Sequence, residues 1–243
     1  MLPPADTAPE PVPAAAWRRA ADGAPLSPVL PPDASLLVLA AHPDDETIGA
    51  GRLLADHTGP ARCVTLTAGE RCHGESADAA QVARTRLREW GAALAVLGAE
   101  PVETPRWPDA GLSGHEREAA EALAGWAAGA DAILAPWRHD PHPDHEAAGR
   151  VGAEVARRAG TPLWSYLVWT PYWMHPEDLA GRGAELLRYP SSERAGVRWR
   201  EALARHRSQV TAQPPASHPV VPATLLDRHE SQLLIRETHA VRA

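Results

Sequence analysis

Two short runs of histidine and acid carry the residue types that could do chemistry: His42-Pro43-Asp44-Asp45-Glu46 and His142-Pro143-Asp144-His145. In the first, a histidine followed three residues later by an aspartate offers one imidazole nitrogen and one carboxylate oxygen, a donor mix that suits zinc. Two donors do not close a site. The same acids could simply cap a helix, whose first turn favours negative charge. The second run supplies His145. Together His42, Asp45 and His145 make three protein ligands and leave a fourth position for water, the composition of a catalytic rather than a closed structural zinc site. Asp44 and His142 are then spare groups beside the metal.

For the two runs to meet, each must sit at the end of a strand. Residues 36–41, LLVLAA, are apolar without polar alternation, the pattern of a central parallel strand covered on both faces. Residues 133–137, ILAPW, repeat it. After each polar burst a helix-like pattern resumes, from Thr47 to His57 and from Glu146 onward. Ligands of open α/β sheets bind at the carboxyl ends of the strands, so neighbouring strands would bring the bursts face to face. The rest of the chain continues the alternation: a strand at 61–67, a long helix at 77–98 stopped by Gly98, and an edge-like strand at 101–107 interrupted by Pro105. Then follow a helix at 116–128, one reaching Ala159, a strand at 163–170, LLRY at 186–189, a helix at 191–208, and a short helix before a strand or turn at 233–236.

At the two runs the chain resembles the PIG-L/LmbE family of zinc-dependent N-deacetylases, whose signatures AHPDDE and HPDH stand unbroken at Ala41 to Glu46 and His142 to His145. Two further stretches are similar to that family: an R-x-x-E-x-x-x-A-x-x-x-L-G helix through Arg86, Glu89, Ala93, Leu97 and Gly98, and ALARHRSQ at 202–209. The resemblance covers residues 34–210. It implies an α/β, three-layer Rossmann-like (LmbE-like) fold, with a mostly parallel central sheet flanked by helices. It implies Zn2+ on His42, Asp45 and His145, with Fe2+ competing for the same ligands. Residue by residue, it also makes Asp44 the general base, His142 the group that stabilises the oxyanion, and Asp144 the residue that orients a histidine from behind. Arg86 and Asp109 become contacts to sugar hydroxyls. Read without the family, Arg86 is a solvated helix arginine and Asp109 a turn residue favoured after proline.

Other residues are candidates by position. The polar loop after the 61–67 strand places Glu70, His73 and Ser76 at the ligand end of the sheet. Tyr172 and Trp173 could wall a sugar or simply pack in the core. His175 beside them is a candidate acid over the metal.

The chain has 243 residues, enough for one α/β domain with a buried core, expected at 35–243. Residues 1–34, rich in Pro and Ala, read as an extended arm, a loose tail with one helical turn. Docking of that arm through Trp17, Arg18 and Arg19 is the competing reading. A net charge of −7, with all 24 basic residues arginine and no basic stripe, argues against nucleic acid as a partner and fits a small neutral substrate. No run approaches the ~18 apolar residues of a membrane span, and no signal-peptide core is visible. Two cysteines without CxxC spacing suit a reducing, cytoplasmic setting, and self-association is left open.

The expected function is therefore hydrolysis of an N-acetyl or short N-acyl group on an amino-sugar-type small molecule, in bacterial secondary or thiol metabolism. The alternatives are an amidase that cleaves a larger N-acyl or thiol conjugate, and a metal-binding module without catalysis.

Overall fold

The computed structural model describes residues 10–28, 30–74, 78–213 and 218–237. In chain order its first half runs α1 (Ala14–Gly23), β1 (Leu36–Ala40), α2 (Asp45–Asp56), β2 (Ala61–Thr65), α3 (Ala79–Leu97), β3 (Glu100–Pro101), α4 (Glu116–Ala127), β4 (Ala132–Pro136) and α5 (Pro143–Ala159). The second half runs β5 (Leu163–Tyr166), α6 (Thr170–Trp173), β6 (Ala184–Tyr189), α7 (Glu193–Leu203), α8 (Arg207–Val210), α9 (Ala223–Leu226) and β7 (Gln232–Glu237).

Continuous apolar runs become the centre of the sheet. β1 is buried along its whole length and lies parallel to β2 on one side and β4 on the other, with Val38 between Cys63 and Leu134. Its side chains alternate between two cores. Leu36 and Val38 meet Leu53, Leu94, Leu97 and Trp199 from α2, α3 and α7. Leu37 and Leu39 meet Leu123, Val151 and Val155 from α4 and α5. Among the described residues the sheet has seven strands in the order β3-β2-β1-β4-β5-β7-β6, and only β7 runs against its neighbours. The chain winds outward from β1 to β3, then restarts at β4 on the other side. The crevice between the carboxyl ends of β1 and β4 is thus the topological switch point, where such sheets bind ligands.

Several boundaries differ from the sequence expectation, each for a local reason. The strand expected at 101–107 shrinks to Glu100–Pro101, because Pro101 and Pro105 have no N–H to give a ladder. The amides of Val102 and Trp107 still reach Cys63 O and Leu66 O at 2.8 Å each. The strand expected to reach 170 stops at Tyr166, since the N–H groups of Val168, Trp169 and Thr170 all turn to the Asp140 carboxylate. The helix expected at 191–208 breaks after Leu203 and restarts at Arg207. α2 and α5 begin earlier than expected, which puts Asp45 and His145 into first helical turns.

The arm is not a loose tail over its described part. Val12, Trp17 and Ala21 pack with Trp137, Met174, Leu233 and Ile235 in a third cluster. Trp17 Nε1 donates to Met174 O at 3.0 Å, and the Val12 amide donates to Tyr172 O at 2.9 Å. Burial of Trp17 together with Val12 and Ala21 contributes to this docking.

α5 lies directly against the end of β4. A Cβ on Gly149 would stand 2.6 Å from the Arg138 backbone and from Pro136 O, so only glycine admits this approach. That closeness sets where the first turn of α5, and His145 with it, must lie.

Candidate metal centre and catalytic groups

Both histidine runs leave the sheet at the switch point. After β1 the chain turns tightly, with the Asp44 amide donating to His42 O at 2.9 Å, and α2 starts at Asp45. The His42 amide donates to Asp45 Oδ2 at 2.8 Å, a local bond that fixes the carboxylate beside the imidazole. After β4, His142 caps α5 by accepting the Asp144 amide on Nδ1 at 3.3 Å, and Pro143 occupies the first turn.

Three donor groups converge. His42 Nδ1 and His145 Nε2 are 3.1 Å apart, His145 Nε2 is 3.2 Å from Asp45 Oδ1, and His42 Nδ1 is 3.5 Å from Asp45 Oδ2. All three side chains are buried. The far nitrogen of each ring faces carboxylates: His145 Nδ1 lies 2.8 Å from Asp140, and His42 Nε2 lies 3.3 Å from both Asp109 and Asp144. Two imidazole nitrogens and a carboxylate aimed at one point, with the outer nitrogens backed by acids, is the donor set and the outer shell that a divalent cation requires. The residues fit such an ion.

The electrostatics follow from burial and these contacts. Burial alone would lower the His42 imidazolium, yet hydrogen bonds to Asp109, Asp144 and Asp45 raise it well above the usual range. His145 is likewise opposed by burial but pushed up to about 9 by Asp45 and Asp140. Burial works to raise Asp45, but the His145 charge and the hydrogen bonds from both histidines hold it well below the carboxylate range. His142, partly buried and edge-on to His42 with ring centroids 4.8 Å apart, is pushed down to about 2 by burial and by its two histidine neighbours. It is therefore a neutral ring. With Nδ1 accepting a backbone amide, its proton sits on Nε2, which can donate.

Asp44, also buried, makes a 3.1 Å ion pair with Arg86 Nη2. Burial raises the Asp44 carboxyl while the Arg86 charge opposes that rise. Arg86 is buried on α3 rather than solvated, and it also donates to Gly69 O at 2.9 Å. Glu46 turns away into the core, where Thr47 Oγ1 donates to it at 2.7 Å and burial pushes its carboxyl up to about 8.

The loop from Trp107 to Leu112 closes over the cluster. Asp109 accepts the Arg71 amide at 2.8 Å, and its own amide donates to Glu70 at 3.0 Å, so Glu70 anchors the loop. Asp144 accepts the amides of Ala110 at 2.7 Å and Leu112 at 3.1 Å. Ala110 has φ of 61°, a left-handed conformation that a non-glycine residue holds only under tight constraint.

The structure thus gathers His42, Asp44, Asp45, His142, Asp144, His145, Arg86 and Asp109 into one cluster, with Glu70 at its rim. It does not bring Trp173 and His175 there. Trp173 packs edge-on to Tyr172, centroids 4.6 Å apart, against the core beneath α2 and α7. His175 has a side chain 60% exposed and faces Glu177 at 3.9 Å. Ser76 lies outside the described residues.

Sequence reasoning passed over Asp140, whose carboxylate touches His145 and the 168–170 backbone. Its position two residues before His142, in a run dense with ligand-type residues, was the available signal.

Comparison with known proteins gives concordant matches. The profile of the PIG-L family, described as GlcNAc-PI de-N-acetylase, matches residues 37–156. A 1D-myo-inositol 2-acetamido-2-deoxy-alpha-D-glucopyranoside deacetylase of Nocardia farcinica is 32% identical over 196 residues, which are 61% of this chain and 63% of the relative. The protein of the same name from Streptomyces avermitilis is 32% identical over 199 residues, covering 65% and 67%. The matches thus span about two thirds of the length of these relatives. Among solved structures, the conserved protein TT1542 of Thermus thermophilus superposes with a TM-score of 0.53 at 25% identity, over 72% of this chain and 80% of that one. No helix among the described residues is long and apolar enough to cross a membrane.

Proposed function

The chain belongs to the PIG-L family, and on that premise we propose that it is a metal-dependent hydrolase that removes an N-acetyl or short N-acyl group from a small amino-sugar-type substrate. One observation carries the reading: two imidazole nitrogens and a carboxylate within 3.1–3.5 Å of one another, with a buried acid, Asp44, next in sequence. The names of the relatives, deacetylases of an inositol-linked 2-acetamido sugar, support the choice of substrate class.

His42, Asp45 and His145 would hold the ion, for which zinc is proposed with iron(II) as its competitor. A divalent cation there supplies Lewis acidity to an amide carbonyl and makes a water easier to deprotonate near neutral pH. Asp44 takes the proton of the attacking water as its oxygen bonds to the carbonyl carbon. When the C–N bond breaks, Asp44 returns that proton to the departing amine, so amine and carboxylic acid leave, the acid losing its remaining proton to solvent. Arg86, 3.1 Å from Asp44, opposes the rise that burial imposes and so favours the ionised form that can act as a base. His142, neutral with its proton on Nε2, donates to the oxyanion of the tetrahedral intermediate. Asp144 and Asp109 hold His42 by its outer nitrogen, and Asp144 also pins the 109–112 loop that covers the cluster.

Acetate release by the zinc-loaded protein, across a panel of N-acetylated amino sugars and pseudodisaccharides, tests the proposal. Turnover should vanish in Asp44→Asn with metal retained and in His145→Ala with metal lost. Metal uptake by the wild type without release from any member would refute an amino-sugar substrate. Undiminished turnover in Asp44→Asn would refute the base assignment.

A further inference from the structure

Asp140 is completely buried, and its carboxylate is fully used. Oδ2 accepts from the amides of Val168, Trp169 and Thr170 at 3.1, 2.9 and 2.9 Å and from Thr170 Oγ1 at 2.8 Å. Oδ1 lies 2.8 Å from His145 Nδ1. We infer that Asp140 is a positioning residue, which fixes the proton of the His145 ring on Nδ1 and so leaves Nε2 bare toward His42 and Asp45.

Both ring nitrogens of His145 face carboxylates, which only accept, and a neutral ring has one proton to give; Asp140 Oδ1 at 2.8 Å stands closer than Asp45 Oδ1 at 3.2 Å, so the proton goes to Nδ1. The neutral His145 ring then has its lone pair on Nε2, the atom that stands 3.1 Å from His42 Nδ1 and 3.2 Å from Asp45 Oδ1. A clasp for the 168–170 turn would need only one oxygen. Spending the second on His145 ties the ring rigidly to that turn, and with it to the end of β5. His42 is backed less closely, by two carboxylates at 3.3 Å each. Asp140 is thus the shortest contact behind either ring. The inference rests on the metal reading only for what the bare nitrogen serves.

Asp140→Asn separates this role from a structural one. An asparagine has a single acceptor oxygen, and the four donors at 168–170 claim it. The NH2 group then faces His145 Nδ1 and requires it to accept, which moves the ring proton to Nε2, where it blocks a ligand. Thr170→Val removes one donor from the other oxygen and leaves the His145 contact intact. Zinc affinity, measured by competition with a chromophoric chelator, should fall about 10–100-fold in Asp140→Asn. It should stay unchanged in Thr170→Val, even though that variant unfolds at lower urea. In parallel, 15N NMR of histidine-labelled, metal-free wild type at alkaline pH, where the imidazole is neutral, should show His145 as the Nδ1–H tautomer.

An Nε2–H tautomer in the wild type, or an Asp140→Asn variant that binds zinc as tightly as wild type, would overturn the inference. If Asp140→Asn does not fold, the wild-type tautomer still decides. A wild type that takes up no zinc would sink the metal reading, and the tautomer would remain an independent test of Asp140.

Discussion

The buried Arg86–Asp44 pair offers the sharpest quantitative test. Removing the guanidinium with Arg86→Met keeps the aliphatic length on α3 but takes from the Asp44 carboxylate, 4% exposed, its strongest opposing charge. The charges are 3.1 Å apart. Coulomb's law at an effective dielectric of about 20 gives roughly 5 kcal/mol for that separation. Breaking one side of a buried ion pair costs ~3–5 kcal/mol in practice, so the two routes agree. Arg86→Met should therefore lose about 4 kcal/mol, a large part of a stability of 5–15 kcal/mol typical for such a domain. Asp44→Asn leaves Arg86 as the unpaired charge, although the bond to Gly69 O remains, and should cost a comparable amount. The double variant removes both charges, so its loss should fall short of the sum of the singles by about 2–3 kcal/mol. Urea unfolding at constant m-value reads all three numbers. Turnover should fall in Arg86→Met as well, because burial without the opposing charge drives Asp44 toward the protonated, non-basic form. Single losses under ~1 kcal/mol, or strict additivity, would show that the pair is solvated like a surface ion pair.

Three further outcomes follow from particular contacts. Gly69→Ala forces a left-handed alanine at φ +60° whose Cβ meets the Arg86 guanidinium, so it should cost roughly 1–2 kcal/mol and depress turnover together with stability; a variant unchanged in both would refute the close approach. Trp17→Ala empties the centre of the arm contact, and although a buried Trp→Ala change costs ~3–5 kcal/mol, the arm should peel off before the domain unfolds. Limited proteolysis should then cut near α1 while the remaining core persists, and resistance equal to wild type would contradict docking. His229, buried and 3.0 Å from Val168 O, is pushed down to about 4 by burial, against 6.5 when free. The unfolded chain binds the extra proton first, so stability is complete above pH 6.5 and is lost as pH falls toward 4, by on the order of 3 kcal/mol. His229→Asn should flatten that limb in urea midpoints taken from neutral pH down to 4; an equally steep limb would place the acid sensitivity elsewhere.

The sequence by itself determined most of the elements that run along the chain and the residues proposed to bind a metal. A continuous apolar run marks a strand covered on both faces because every side chain of such a strand meets a layer, as Leu36 to Leu39 do. The histidine–aspartate spacing was legible because the bond from the His42 amide to Asp45 is made within three residues. Tertiary structure alone decided the rest. His42 and His145 meet only because β1 and β4 are neighbours, a pairing set by the order of the whole sheet. β7 slots antiparallel between β5 and β6, and the shorter strand at 163–166 reflects a carboxylate 28 residues away competing for its amides. Arg86 looked like a surface arginine and Asp109 like a turn residue, since nothing within a helical turn of either reveals the partner that buries it. Local periodicity and donor type are properties of near neighbours in sequence. The choice of partner for a buried charge depends on which distant backbone and side chains the packed sheet delivers, and no window of the chain contains that information.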